Sequence, residues 1–76
     1  MHMVITVKLF AGYRVGRFRE KEMEFPTGTP AQRIIAALAI PHGEASIILV
    51  NGSRVELSHM LQDGDTLTLF PLIAGG

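Results

Sequence analysis

The chain contains no cysteine. That absence excludes a disulfide framework, a thiolate metal site, iron–sulfur ligation and a cysteine nucleophile. Any sulfur the protein handles must ride on another atom. Net charge is also missing, because seven basic residues cancel seven acidic ones. A neutral chain has no electrostatic footprint for nucleic acid or an anionic membrane. No apolar run approaches the roughly 18 residues of a membrane span. Met1-His2-Met3 lacks the charged-then-apolar layout of a secretory signal. The expectation is a cytoplasmic protein, with Met1-His2 either native or a cloning remnant. The histidines His2, His42 and His59 fall in no metal-ligand spacing, and no Walker-type loop is present.

At 76 residues the chain holds one small domain. An apolar fraction of 47% calls for a packed core. Met3 to Phe10 alternates, with Met3, Ile5, Val7 and Leu9 on one face and Val4, Thr6, Lys8 and Phe10 on the other. Period two predicts a half-buried strand. Phe10 then lies away from the core, either as a local packing residue or as an exposed contact. Gly12 and Gly16 bracket a link too short for a crossover helix. Phe18 to Phe25 resumes the extended pattern, so the two strands form an antiparallel hairpin.

Thr29-Pro30-Ala31-Gln32 reads as a helix start, with Thr29 as cap, Pro30 at the first helical position and Gln32 closing a capping box. Ala31, Ile34, Ile35 and Leu38 make its apolar stripe. The helix is expected to end near Ala39, because Pro41 pushes Ile40 out of the α region. Ile47-Ile48-Leu49-Val50 is a strand, and Asn51-Gly52 signals a type I′ turn into a short return strand around Arg54-Val55. Leu57 to Leu61 suggests a helical turn with Leu57, Met60 and Leu61 as buried plugs and His59 partly buried. Asp63-Gly64-Asp65 is a turn. Thr66 to Phe70 is the last strand, with Leu67 and Leu69 inward and Phe70 outward. One helix packed on a mixed sheet of four to five strands, between two hairpin-like units, is the α+β plan of the β-grasp fold. Periodicity alone also allows other small α+β sandwiches.

After Phe70 the sequence reads Pro71-Leu72-Ile73-Ala74-Gly75-Gly76. Pro71 cannot donate a ladder hydrogen bond, so the strand is expected to end there. The expected organisation is a domain over residues 1–70 and a flexible tail over 71–76. Two final glycines alone are a weak signal, arising by chance in roughly one chain in two hundred. Joined to this element order they acquire a chemical meaning. A terminal carboxylate is a poor electrophile until an enzyme joins it to AMP as a mixed anhydride. A terminus without side chains threads a narrow channel, and glycine permits backbone angles that other residues resist. The acyl adenylate can then be attacked by a sulfur donor, giving a thiocarboxylate, or by a lysine amine, giving an isopeptide.

On these residues the chain resembles the MoaD/ThiS sulfur-carrier proteins, prokaryotic relatives of ubiquitin. The resemblance rests on Val7-Lys8-Leu9-Phe10-Ala11, Val50-Asn51-Gly52, Leu61-Gln62-Asp63-Gly64-Asp65 and Phe70 to Gly76. It implies that Gly76 is adenylated by an E1-like enzyme of the MoeB/ThiF type, which supplies the ATP site, and is then converted to a thiocarboxylate. Gly75 and Ala74 would lie in that enzyme's channel, with Ile73, Leu72 and Pro71 anchoring the tail. Phe10 and Phe70 match an exposed apolar patch offered to partners, the second being a sulfur-accepting synthase subunit of the MoaE or ThiG type. The resemblance implies a carrier with no bound cofactor, and no catalysis of its own.

Three departures bear on the pathway. Leu72 stands where molybdopterin-type carriers usually have a second proline. Arg54 stands near a position often apolar in the patch. The Phe10–Phe18 link is short, as in thiazole-type carriers. Phe70-Pro71 favours the molybdopterin or tungstopterin pathway, with thiamine thiazole next. A ubiquitin-like modifier forming isopeptides and a non-covalent β-grasp interaction module remain as alternatives. Arg14, Arg17 and Arg19 read as a solvated hairpin edge or, second, as a docking surface for an acidic partner.

Overall fold

The computed structural model describes residues 1–40 and 46–71, the side chain of Ser46 excepted. His42 and the tail residues Leu72, Ile73, Ala74, Gly75 and Gly76 lie outside the described residues.

Among the described residues there are five strands and one α-helix: β1 (His2–Leu9), β2 (Glu20–Pro26), α1 (Ala31–Ala37), β3 (Ser46–Val50), β4 (Ser53–Arg54) and β5 (Thr66–Pro71). The sheet order is β2-β1-β5-β3-β4. β1 and β5 run parallel, and every other neighbouring pair is antiparallel. This is the β-grasp arrangement of an α+β protein. The alternation in β1 is fully expressed, since Met3, Ile5, Val7 and Leu9 are all 0% exposed. They pack with Leu67 and Leu69 of β5, Ile48 and Val50 of β3, and Ala31, Ile34 and Leu38 of the helix region. Period two on the strands and period 3.6 on α1 thus place their apolar residues in one shared layer.

The link between β1 and β2 is not featureless. Ala11–Arg14 forms a 3-10 turn, which buries Tyr13 against the core. β2 begins at Glu20, two residues later than the pattern suggests, and Phe18 is half-buried ahead of it.

The ends of α1 are satisfied differently from the expected capping box. Thr29 does not cap; its hydroxyl donates to the Pro26 carbonyl at 2.6 Å. Pro30 occupies the N-cap with extended backbone. The amides of Ala31 and Gln32 donate instead to the carbonyls of His59 (2.9 Å) and Leu57 (3.0 Å). Helix donors must find acceptors, and here a neighbouring backbone supplies them. This also corrects the reading of residues 57–61. The segment is a turn, not a helical one, with its carbonyls aimed at α1. Leu57 and Met60 are therefore 49% and 65% exposed, and His59 is exposed too. Only Leu61 inserts as a plug.

At the other end α1 stops at Ala37, and Ala39 adopts a left-handed φ of 58°. Arg17 covers the freed carbonyls. Its Nε donates to Leu38 O at 2.8 Å, its Nη2 to Ala39 O at 3.1 Å and its Nη1 to Tyr13 O at 3.2 Å. Arg17 is thus a helix-end brace and not part of a solvated basic edge. A cation at helix C-terminal carbonyls is favourable for both charge and hydrogen bonding.

Asn51 and Gly52 have φ of 52° and 85°, as the type I′ turn requires. The return strand is Ser53–Arg54, one residue earlier than expected. Asp63 accepts the Val4 amide at 2.8 Å, and Gly64 N donates to Val4 O at 2.9 Å. The Asp63-Gly64-Asp65 turn therefore extends the bonding of β5 along the neighbouring edge of β1, with Asp63 as a turn residue that also holds a strand amide.

Candidate functional site

The helix covers one face of the sheet and leaves the other open. Register and alternation decide which residues share that open face. Opposite the buried positions of β1 stand Val4, Thr6 and Lys8, and on β5 Thr66, Thr68 and Phe70. On β3 the exposed-side residues are Ile47, paired with Phe70, and Leu49, paired with Thr68. Arg54 of β4 pairs with Leu49 and closes that edge, fully on the surface. Glu20, Glu22 and Glu24 of β2, opposite Lys8, Thr6 and Val4, form the other edge.

At one end of this face Phe10 and Phe70 stack, with ring centroids 4.4 Å apart and planes 17° from parallel. Both are half-buried. Such a pair adds about 0.5–1.5 kcal/mol beyond its area. The open alternative for Phe10 thus resolves into both roles, because one ring face packs locally while part of the ring stays at the surface. Arg14 adds a cation to the pair. Its guanidinium carbon is 4.9 Å from the Phe10 centroid, and its Nε donates to Leu9 O at 2.7 Å. Ile47 and Leu49 extend the apolar surface across β3. Sequence reading did not single them out, although an unbroken apolar run at Ile47–Val50 was the available signal for two occupied faces.

The aromatic end of the face is also where β5 reaches Pro71, the last described residue. β5 runs parallel to β1, so Pro71 ends at the same side as Leu9 and Phe10, opposite Ser46 at the start of β3. Phe10 N donates to Leu69 O at 3.2 Å and ties the two strand ends together. Of the site residues expected from sequence, Phe10, Phe70 and Pro71 lie together at this end. Arg54 lies at the β4 edge, away from them. Leu72 to Gly76 follow Pro71 and lie outside the described residues.

Among the described residues no group of His, Asp or Glu is placed to hold a metal ion. Nor is any described helix long and apolar enough to cross a membrane. What the described arrangement offers is an open sheet face with Phe10, Phe70, Ile47 and Leu49 half-buried on it, next to Pro71.

Comparison with known proteins bears on this geometry. The model of the ThiS family matches residues 7–76. A putative molybdopterin converting factor subunit 1 from Pyrococcus furiosus is similar in structure, with TM-score 0.77 and 29% identity, covering 93% of this chain and 99% of that one. The small archaeal modifier protein 1 from Methanosarcina acetivorans shares the fold at TM-score 0.74 and 22% identity, covering 100% of this chain and 99% of that one. A chain from the complex of subunits 1 and 2 of the Helicobacter pylori molybdopterin-converting factor also shares the fold. Its TM-score is 0.64 and its identity 21%, covering 97% of this chain and 100% of that one. With a family match running from β1 to the final Gly-Gly, on a β-grasp sheet of the expected order, the chain belongs to the ThiS family.

Proposed function

We propose that this protein is a sulfur carrier. Gly76 is adenylated by an E1-like enzyme and converted to a thiocarboxylate, which then donates sulfur in cofactor biosynthesis. The observation that carries this reading is the family match through residue 76, ending in Ala74-Gly75-Gly76 shortly after Phe70-Pro71. The chain itself acts as an acyl substrate and needs no catalytic side chain. ATP is used by the activating partner, at its own site. Phe10, Phe70, Ile47 and Leu49 are the apolar contact, Arg54 a polar contact at its rim, and Pro71 to Gly75 the lead-in to the partner's active site. The work is placed in the cytoplasm, where ATP and the pathway enzymes meet.

The molybdopterin or tungstopterin pathway is favoured over thiamine thiazole. Phe70-Pro71 supports it, as does likeness to the Pyrococcus protein named as a molybdopterin converting factor subunit. A synthase subunit is then the second partner, as in the Helicobacter complex of two such subunits. Protein modification shares the activation step and differs only in the acceptor.

The test is ATP–pyrophosphate exchange by the host's activating enzyme in the presence of the chain. Exchange is expected with the intact chain and is expected to vanish when Gly75 and Gly76 are deleted. Equal exchange with the shortened chain contradicts the reading.

A further inference from the structure

Asn51-Gly52 is the chemically weakest dipeptide in the chain. In an Asn-Gly sequence the backbone nitrogen of glycine can attack the asparagine Cγ. A nitrogen–Cγ bond forms as the amide proton passes to water or hydroxide. The Cγ–Nδ2 bond breaks, and ammonia leaves. Water then opens the cyclic imide to aspartate or isoaspartate. The step is hydrolytic and requires only solvent.

Nothing in the local crowding prevents this. Both residues are exposed, and a Cβ built on Gly52 meets no atom within 4 Å. What restrains the amide is hydrogen bonding. Asn51 Nδ2 donates to Asp65 Oδ1 at 2.9 Å, and Asn51 Oδ1 accepts the Thr66 amide at 2.9 Å. The backbone is held as well, with Asn51 N donating to Thr66 O at 2.9 Å. Asp65 is itself fixed, because its Oδ2 accepts the Gln62 amide at 2.8 Å. To reach Gly52 N the side chain must leave both partners.

We propose that Asn51 is a latent deamidation site that Asp65 and Thr66 hold closed. Opening the β3–β4 turn away from β5 releases it. The modification then acts on the same clamp. A carboxylate at position 51 loses the donor to Asp65 and faces it with like charge. Isoaspartate, in addition, lengthens the backbone inside a two-residue turn and breaks the Val50–Ser53 pairing. Either product loosens the turn from the start of β5.

The experiment incubates the full chain at mildly alkaline pH beside a synthetic peptide spanning residues 48–55. Intact mass follows replacement of the amide NH2 by OH, and peptide mapping locates it at residue 51. Losing two hydrogen bonds, one of them to a carboxylate, predicts deamidation about tenfold or more slower in the folded chain than in the peptide. Asp65→Ala is expected to recover most of that difference. Because Asp65→Ala also lowers stability, Ile34→Val serves as a destabilised control with the clamp intact and is expected to stay slow. The proposal is overturned by equal rates in chain and peptide, by an Asp65→Ala rate equal to the parent, or by Ile34→Val matching Asp65→Ala.

Discussion

Phe70 and Arg17 carry opposite lessons at the scale of single residues. Phe70 was legible, since strand alternation puts it on the face away from Leu67 and Leu69, and the structure stacks it on Phe10 there. A half-buried aromatic on an open face has less buried area to lose than a core residue and keeps part of its ring at the surface. Phe70→Ala is expected to weaken partner binding by tenfold or more, an anchor-sized loss of about 2 kcal/mol. It should cost less stability than the roughly 3 kcal/mol of a fully buried Phe. Binding titration and urea unfolding of the same variant check both halves. Arg17 was misread, because a run of arginines near a hairpin gives no hint of a carbonyl partner some twenty residues away. Its three donors all end on backbone carbonyls. Arg17→Ala is expected to lower unfolding stability by about 1–3 kcal/mol. The loss should be little changed by moderate salt, since the partners are dipoles rather than ions. A loss that disappears in salt would indicate a surface ion pair instead.

Among the elements, those defined by periodicity were readable and those defined by long-range backbone contacts were not. β1, β3 and β5 declare themselves through alternation or an unbroken apolar run, and Asn51-Gly52 marks its turn through the positive φ both positions adopt. The helix was legible from its stripe at Ala31, Ile34 and Leu38, but its cap was not. Thr29 has the right chemistry and the wrong partner, because the 57–60 backbone reaches the helix donors first. A seven-residue helix is too short to persist alone and depends on such outside support. The same contact turned Leu57 and Met60 outward against the expectation that they plug the core. This yields a paired prediction. Leu61→Ala should cost about 2–5 kcal/mol, the range for emptying a buried leucine site. Met60→Ala should stay within about 0.5 kcal/mol, as surface changes do. Chemical denaturation of the two variants settles the segment's orientation, and comparable losses would put Met60 in the core.

For the whole molecule, the sheet order brings the aromatic pair and Pro71, the last described residue of β5, to one end. That proximity was only half legible. Phe10 and Phe70 can be placed away from the core by alternation, while the parallel β1–β5 pairing that brings them together has no local sequence signal. Ile47 and Leu49 enter the face through the β3–β5 register, which no local pattern specifies. The central claim concerns the last atoms of the chain, and one measurement reaches it directly. The protein with a free C-terminus is incubated with the host's activating enzyme, ATP and a sulfur donor, and its intact mass is recorded. The account predicts a species heavier by the exchange of one oxygen for sulfur, localised to the peptide containing Gly76. A mass that stays unmodified, with the enzyme shown to be active on another substrate, would contradict it.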